Sequence, residues 1–475
     1  MKMDKPESPG SHQQRPTILT PWFWVVAGSV MLLIVALLLP KPDPTVAHQG
    51  KDTGSQAETP RKVRSNSNIK LPKSLSTQRK AHEDQTASAA EVVAGKLSQF
   101  ARARRDIAHK MAKRFGVELG EDVDRFFQAA EAGQWEETQG LFNSLWKQRD
   151  SGAEGLRKVW GPILETFGVA EQAHIWPAQT LLDYGHAIMD SLKPGMVYIG
   201  GTDSGRFIPT LMNETTEGEH HIILTQNGMA DNTYLQYLRF LYGDQIPMLN
   251  DEDNQRAFQD YVSDAQKRLD HDQQFPDEPR QIRNGEDVRQ TDGRLQVSGQ
   301  VAVMAINERL VQMLMEKNPD VSFAIEQSFA LKSTYPGATT LGPIMELRVQ
   351  DSQNALTQDR AAQAVDYWQT AAQQVLSDAD ASDSLWVRKT WSKMAAEQGA
   401  LLLNQNYTAE AEAEFRIANQ ICPSSPEAVF KYVDLLLNQK RIAEATQVAE
   451  RGATADPQNA QFRDLVAQLT KLKAK

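Results

Sequence analysis

Hydrophobic spacing changes several times along this chain, and each change marks a boundary. PWFWVVAGSVMLLIVALLLP, Pro21 to Pro40, is an apolar run with 18 uncharged residues between its prolines. At a helical rise of 1.5 Å per residue it reaches about 27 Å, close to the ~30 Å hydrocarbon core of a bilayer. Trp22 and Trp24 fit an aromatic belt, and Pro40, Pro42 and Pro44 end the helix. The pattern predicts an uncleaved single-pass membrane helix at 21–40, after a short tail at 1–20. A signal peptide cut near Thr45-Val46-Ala47 is the alternative, although its apolar core is normally shorter than this one. Over 41–90 the apolar period vanishes among Pro, Ser, Thr, Gln, Lys and Gly, which predicts a disordered tether.

Helical spacing takes over at 91–190. Val93, Leu97, Phe100, Ile107, Met111 and Phe115 recur on one face before Gly116. Phe126, Phe127 and Ala130, then Leu141, Phe142, Leu145 and Trp146, flank the turn AGQW and predict a hairpin about Gly133. Two further helices are expected at 153–167 and 176–192. Over 191–350 short β-rich runs (MVYIG, HHIILTQN, VSFAIEQ, PIMELRV) alternate with helical stretches, and a polar loop is expected near 272–293. This alternation predicts an α/β layer with mainly parallel strands. The last part, 351–475, is helical throughout, with a helix over 355–376 containing Trp368 and a closing one over 460–473.

Within the α/β part, GGTDSGR and TQNGMADN directly follow strands. Ligands in such sheets bind beyond the carboxyl ends of strands, where glycines permit close approach and helix N-termini favour anions. Gly200, Gly201, Asp203, Ser204, Arg206, Asn227 and Asp231 are therefore the candidate ligand-binding residues. GGTDSG matches neither the dinucleotide nor the P-loop pattern. The competing reading is a structural turn in which Asp203 or Ser204 caps the next helix. No nucleophile–base pair and no metal-ligand spacing is visible, so no catalytic residue, metal or cofactor is assigned. His220 and His221 are adjacent and would point to opposite faces of a strand.

The tail carries the strongest motif. Gly399, Ala411, Phe415, Ala418 and Pro423 are followed 34 residues later by Ala445, Ala449, Gly452 and Pro457 at equivalent places. This period resembles the tetratricopeptide repeat, in degenerate form because Ala395, Gln398 and Leu402 replace larger first-helix residues. The resemblance implies packing roles for Gly399, Ala411, Phe415, Ala418, Pro423, Ala445 and Pro457, and a surface that binds a protein partner. The hairpin at Gly133 resembles the same class. Residues 191–350 resemble the soluble carboxy-terminal module of a bacterial multi-span membrane family related to protein O-mannosyltransferases. Gly200, Asp203 and Ser204 carry that likeness, with Asn227, Tyr234 and the late strands SFAIEQ and LGPIMELR. Gly201 and Thr202 depart from the family's pattern, and its many spans are absent. The likeness implies fold and placement outside the cytoplasm, and no transferase activity.

Charge then narrows the classes. The net charge is −10, yet residues 41–90 carry nine Lys and Arg against five Asp and Glu. Residues 1–40 add a net +1, so 91–475 holds −15, which argues against a nucleic-acid partner. Cys422 is the single cysteine, expected to be packed, so no intramolecular disulfide can form. The fold class expected is α+α/β: an N-terminal transmembrane helix, helical hairpins, a small mainly parallel α/β domain and C-terminal degenerate tetratricopeptide helical repeats. The function expected is a scaffold on a bacterial cytoplasmic membrane with its body outside the cytoplasm. The alternative is a non-catalytic accessory module for a glycan or glycosylated substrate.

Overall fold

Local signals place the first helix within a residue of expectation. In the computed structural model, which describes residues 87–291, 294–326, 335–347 and 356–473, α1 runs Ala89–Phe115. It opens on a capping box between Ser88 and Glu91 and closes on Gly116 at φ 63°. The membrane helix expected at 21–40, the tail before it and the tether up to residue 86 lie outside the described residues. Among the described residues no helix is long and apolar enough to cross a membrane.

The hairpin follows as α2, Glu121–Glu131, and α3, Trp135–Asp150, with Gly133 at φ 68° in the turn. The expected helix at 153–167 is two: α4, Glu154–Lys158, and α5, Trp160–Ile175, parted at Val159. Helix α5 is buried nearly all round, so it has no amphipathic period to mark its ends. Its glycines admit neighbours closely: a Cβ on Gly161 would lie 2.3 Å from the Tyr237 ring, and one on Gly168 2.3 Å from Phe207. Helix α6 spans Ala178–Met189.

The next elements are β1 Val197–Gly200, α7 Asp203–Glu214, β2 Ile222–Thr225, α8 Asn232–Tyr242, α9 Asp251–Gln274, β3 Asp287–Thr291 and β4 Arg294–Ser298. After them come α10 Gln300–Lys317, β5 Phe323–Ile325, β6 Ala338–Leu341 and β7 Ile344–Leu347. Five strands form one sheet in the order β2-β1-β5-β7-β6. β1 is parallel to β2 and β5, while β7 is antiparallel to both β5 and β6. The expectation of a mainly parallel sheet is therefore corrected to a mixed one. β6, with Thr339 and Thr340 at its centre, lacks the apolar run that would have announced it.

Residues 261–303 form a compact unit of their own. The loop expected near 272–293 contains β3, which pairs antiparallel with β4. Its sequence DVRQT is too polar to read as a strand. Inside the unit Arg268 pairs with Glu286 and Asp264, and Glu286 also accepts from Tyr261.

The tail comprises α11 Gln358–Ser377, α12 Ala379–Asp383, α13 Leu385–Asn404, α14 Thr408–Ile421, α15 Pro426–Asn438, α16 Ile442–Ala455 and α17 Ala460–Lys473. α13/α14 and α15/α16 are hairpins whose turns hold Asn406 at φ 69° and Lys440 at φ 62°, 34 positions apart. In both turns, as at Gly133, the next residue's N–H bonds a carbonyl five residues back. The hairpin at 121–150 thus shares the turn geometry of the tail.

Candidate functional site

The strand order reverses at β1: its crossover through α7 leads to β2 on one side, while β5 lies on the other. Crevices at such points, beyond the carboxyl ends of the strands, are where α/β sheets bind ligands. Here the crevice is filled by the chain's own Glu326, directly after β5 and 0% exposed. Its carboxylate accepts from Gly201 N–H at 3.1 Å, Thr202 N–H at 3.1 Å, Thr202 Oγ1 at 2.9 Å and Tyr184 Oη at 2.8 Å. Desolvation raises its pKa, and these donors, Tyr184 foremost, oppose the rise.

The glycines of GGTDSG follow from this cradle. A Cβ on Gly205 would sit 1.7 Å from Glu326 Oε2, and one on Gly200 2.6 Å from Gly205 O. The cap of α7 is Thr202, whose Oγ1 accepts from Gly205 N–H at 2.9 Å. That corrects the expectation of Asp203 or Ser204: the latter two are the first residues inside the helix.

β1 and β2 are adjacent and parallel, which brings part of the expected rim together. Asn227 Nδ2 donates to Gly201 O at 2.9 Å, tying the two loops. Ser204 is buried, donating to Gln172 Oε1 at 2.9 Å and accepting from Trp386 Nε1 at 3.1 Å. Arg206 turns into the core, 3.6 Å from Glu165 and over the Tyr234 ring. Asp231 caps α8 through Thr233 N–H and lies 3.9 Å from Arg149. Arg206 and Asp231 are thus engaged away from the rim. The ion pairs of Arg104 with buried Glu165 and half-buried Glu214, each 2.8 Å, had no signal in the apolar pattern.

Asp203 is half-buried, and its pKa is raised to about 7, chiefly by desolvation, with Glu326 adding to the rise and Arg206 and Lys393 opposing it. Glu171 on α5 is 5% exposed and is raised to about 8 by desolvation and then by Asp203. Neither forms a hydrogen bond with a described residue. The sequence offered Asp203 no titratable partner nearby; α5 supplies one from 32 positions upstream. Two carboxyls that exchange protons near neutrality are chemically poised groups. Among the described residues no cluster of His, Cys, Asp and Glu could hold a metal ion.

The second candidate surface is the helical stack. Ala411, Ala418 and Ala445 are fully buried, Phe415 nearly so, and a Cβ on Gly399 would lie 2.8 Å from the Phe415 ring. Pro423 and Pro457 each follow a helix end, after α14 and α16. Equivalent positions of successive first helices pair with opposite charge: Lys393 with Glu427 at 3.1 Å, and Glu397 with Lys431 at 3.2 Å. Gln398, small for its repeat position, donates to Gly342 O at 2.6 Å and Ile344 O at 3.0 Å in the β6–β7 turn, and accepts from Trp368. The degeneracy there serves docking to the sheet. Cys422 is buried, as expected of a packed side chain.

No curated protein and no solved structure matches the chain, and the likeness of 191–350 to the O-mannosyltransferase-related module finds no support in these comparisons. The tetratricopeptide repeat model matches residues 402–469, from the end of α13 into α17, and that region supports a protein-interaction or scaffold role.

Proposed function

We propose that this chain is a single-pass membrane-anchored scaffold that binds a protein partner through its helical repeats. The observation that carries it is the two stacked hairpins of 385–455, which the match at 402–469 covers from the end of α13 onward, with the 34-residue period seen in packing and turns and with ion pairs joining positions 34 apart. First helices of such repeats line one face, and stacked repeats offer extended surfaces for a peptide or protein. The uncharged run at 21–40 supports the anchor, and Lys2, Lys5 and Arg15 ahead of it support a cytoplasmic N-terminus with the body displayed outside.

The test is a pull-down from detergent extract with residues 87–475 and with its Lys431→Glu variant, which reverses a charge on the first-helix face. A partner held by the first and lost by the second, with folding unchanged, supports the scaffold; a partner held equally by both removes the repeats from the account. A reporter after Lys475 that is active only in the cytoplasm would overturn the orientation, and a mature N-terminus at His48 the anchor.

The rim offers less to a glycan. Asn227 is spent on Gly201 O, and Glu326 occupies the crevice. What favours that alternative is the Trp386 indole, 43% exposed and bonded to Ser204 beside Asp203. A Trp386→Ala variant that loses glycan-array binding while keeping the protein partner would revive it.

A further inference from the structure

The first helix of the stack, α13, seats on the first turn of α7, just after β1, and on α6. Trp386 Nε1 donates to Ser204 Oγ at 3.1 Å, and Trp391 meets the Tyr184 ring edge-on at 5.7 Å. Ser204 also donates to Gln172 Oε1 at 2.9 Å, so their chain neighbours, Asp203 of α7 and Glu171 of α5, come to this seam, two carboxyls without a hydrogen bond to any described residue. The groups facing Asp203 are Glu171, Glu326 from the end of β5, Arg206 on its own helix and Lys393 from α13. Asp203 is the charged group facing Glu171. Both cations are already shared: Arg206 lies 3.6 Å from Glu165, and Lys393 lies 3.1 Å from Glu427 of α15.

We propose that this seam is a proton-operated latch: protons retained on Glu171 and Asp203 keep α13 seated against the start of α7, and loss of both loosens it. Ionising the pair places two more negative charges beside Glu326, in a seam whose two cations already face Glu165 and Glu427. Burial without partners makes those charges costly, and parting the seam admits water to them. The sign follows from linkage. Both groups are raised in the closed seam, to about 7 and about 8, chiefly by desolvation. A parted seam returns them toward ordinary carboxylate values. The closed seam therefore binds more protons, so its stability is fully present in acid and is lost as pH rises through about 7 and about 8.

Hydrogen exchange of the full chain in detergent, from pH 6 to 9 and divided by the intrinsic rate at each pH, tests this. Amides in the first half of α13 are expected to lose about tenfold or more in protection from pH 6 upward, about one decade per pH unit for each carboxyl until its raised pKa is passed, and to level off between about pH 8 and 9. Those of α16 are expected to hold steady. In the Glu171→Gln/Asp203→Asn double variant the α13 profile is expected to be flat and protected. Lys393→Met removes a cation that lowers the Asp203 pKa, so the transition is expected at higher pH. Constant protection of wild-type α13, an unchanged loss in the double variant, or a Lys393→Met transition that stays or moves down would each overturn the latch. Should the double variant fail to fold, the Lys393→Met shift decides.

Discussion

Replacing Gly205 with alanine sets two effects against each other. Gly205 lies in the first turn of α7, and Gly→Ala in a helix ordinarily stabilises by about 1 kcal/mol. Here the new Cβ would lie 1.7 Å from Glu326 Oε2 and 2.0 Å from Cδ, so the carboxylate must leave its cradle. Gly201 N–H, Thr202 N–H and Tyr184 Oη then lose their acceptor. A buried donor left unmade costs about 1–3 kcal/mol. Three donors at roughly 1–2 kcal/mol each, less the helical gain, leave a net loss of about 3 kcal/mol. Urea denaturation of residues 87–475 measures it, and a double-mutant cycle with Glu326→Ala assigns it. The three atoms nearest the added methyl all belong to that carboxylate, so Gly205→Ala should cost much less once it is gone. A neutral or stabilising Gly205→Ala, or an equal penalty in both backgrounds, would refute the reasoning.

Glu414 is 0% exposed with both oxygens unbonded, and burial alone drives its pKa well above the usual range. Glu414→Leu should therefore add roughly 1–3 kcal/mol near neutrality. Because the native state holds that proton, wild-type stability should rise as pH falls toward the ordinary carboxylate range, and the leucine variant should flatten that slope in pH-resolved denaturation. Ala411→Trp should lower the melting temperature of the stack, since overpacking a fully buried helix crossing costs roughly 1–3 kcal/mol or more. Thr202→Ala should cost about 0.5–2 kcal/mol as a lost cap, whereas Asp203→Ala should not reduce stability. The reverse order in the same denaturation series would return the cap to Asp203.

Much of this molecule was legible because its signals are local. The apolar recurrence from Val93 to Phe115 with Gly116 after it marks α1, and the period joining Ala411, Ala418 and Pro423 to Ala445, Gly452 and Pro457 marks the stack. A cap, a left-handed turn and a small residue at a helix crossing are all specified within a few residues or one repeat. The rim was legible in part: the sequence placed Gly200 at a strand end and Gly201 and Asn227 beyond strand ends, and parallel pairing brings them together. What lies in the crevice was not, because Glu326 comes from a strand 125 positions from Gly201. The same holds for the pairing of Glu171 with Asp203 and of Gln398 with the β6–β7 turn. β3 and β6 carry too little apolar alternation to declare themselves, and α5 too much burial to show a period. Sequence periodicity reports which face of an element avoids water. Which carboxyl meets which donor, and so which groups lose their solvent and shift their pKa, is decided only when distant elements close on one another.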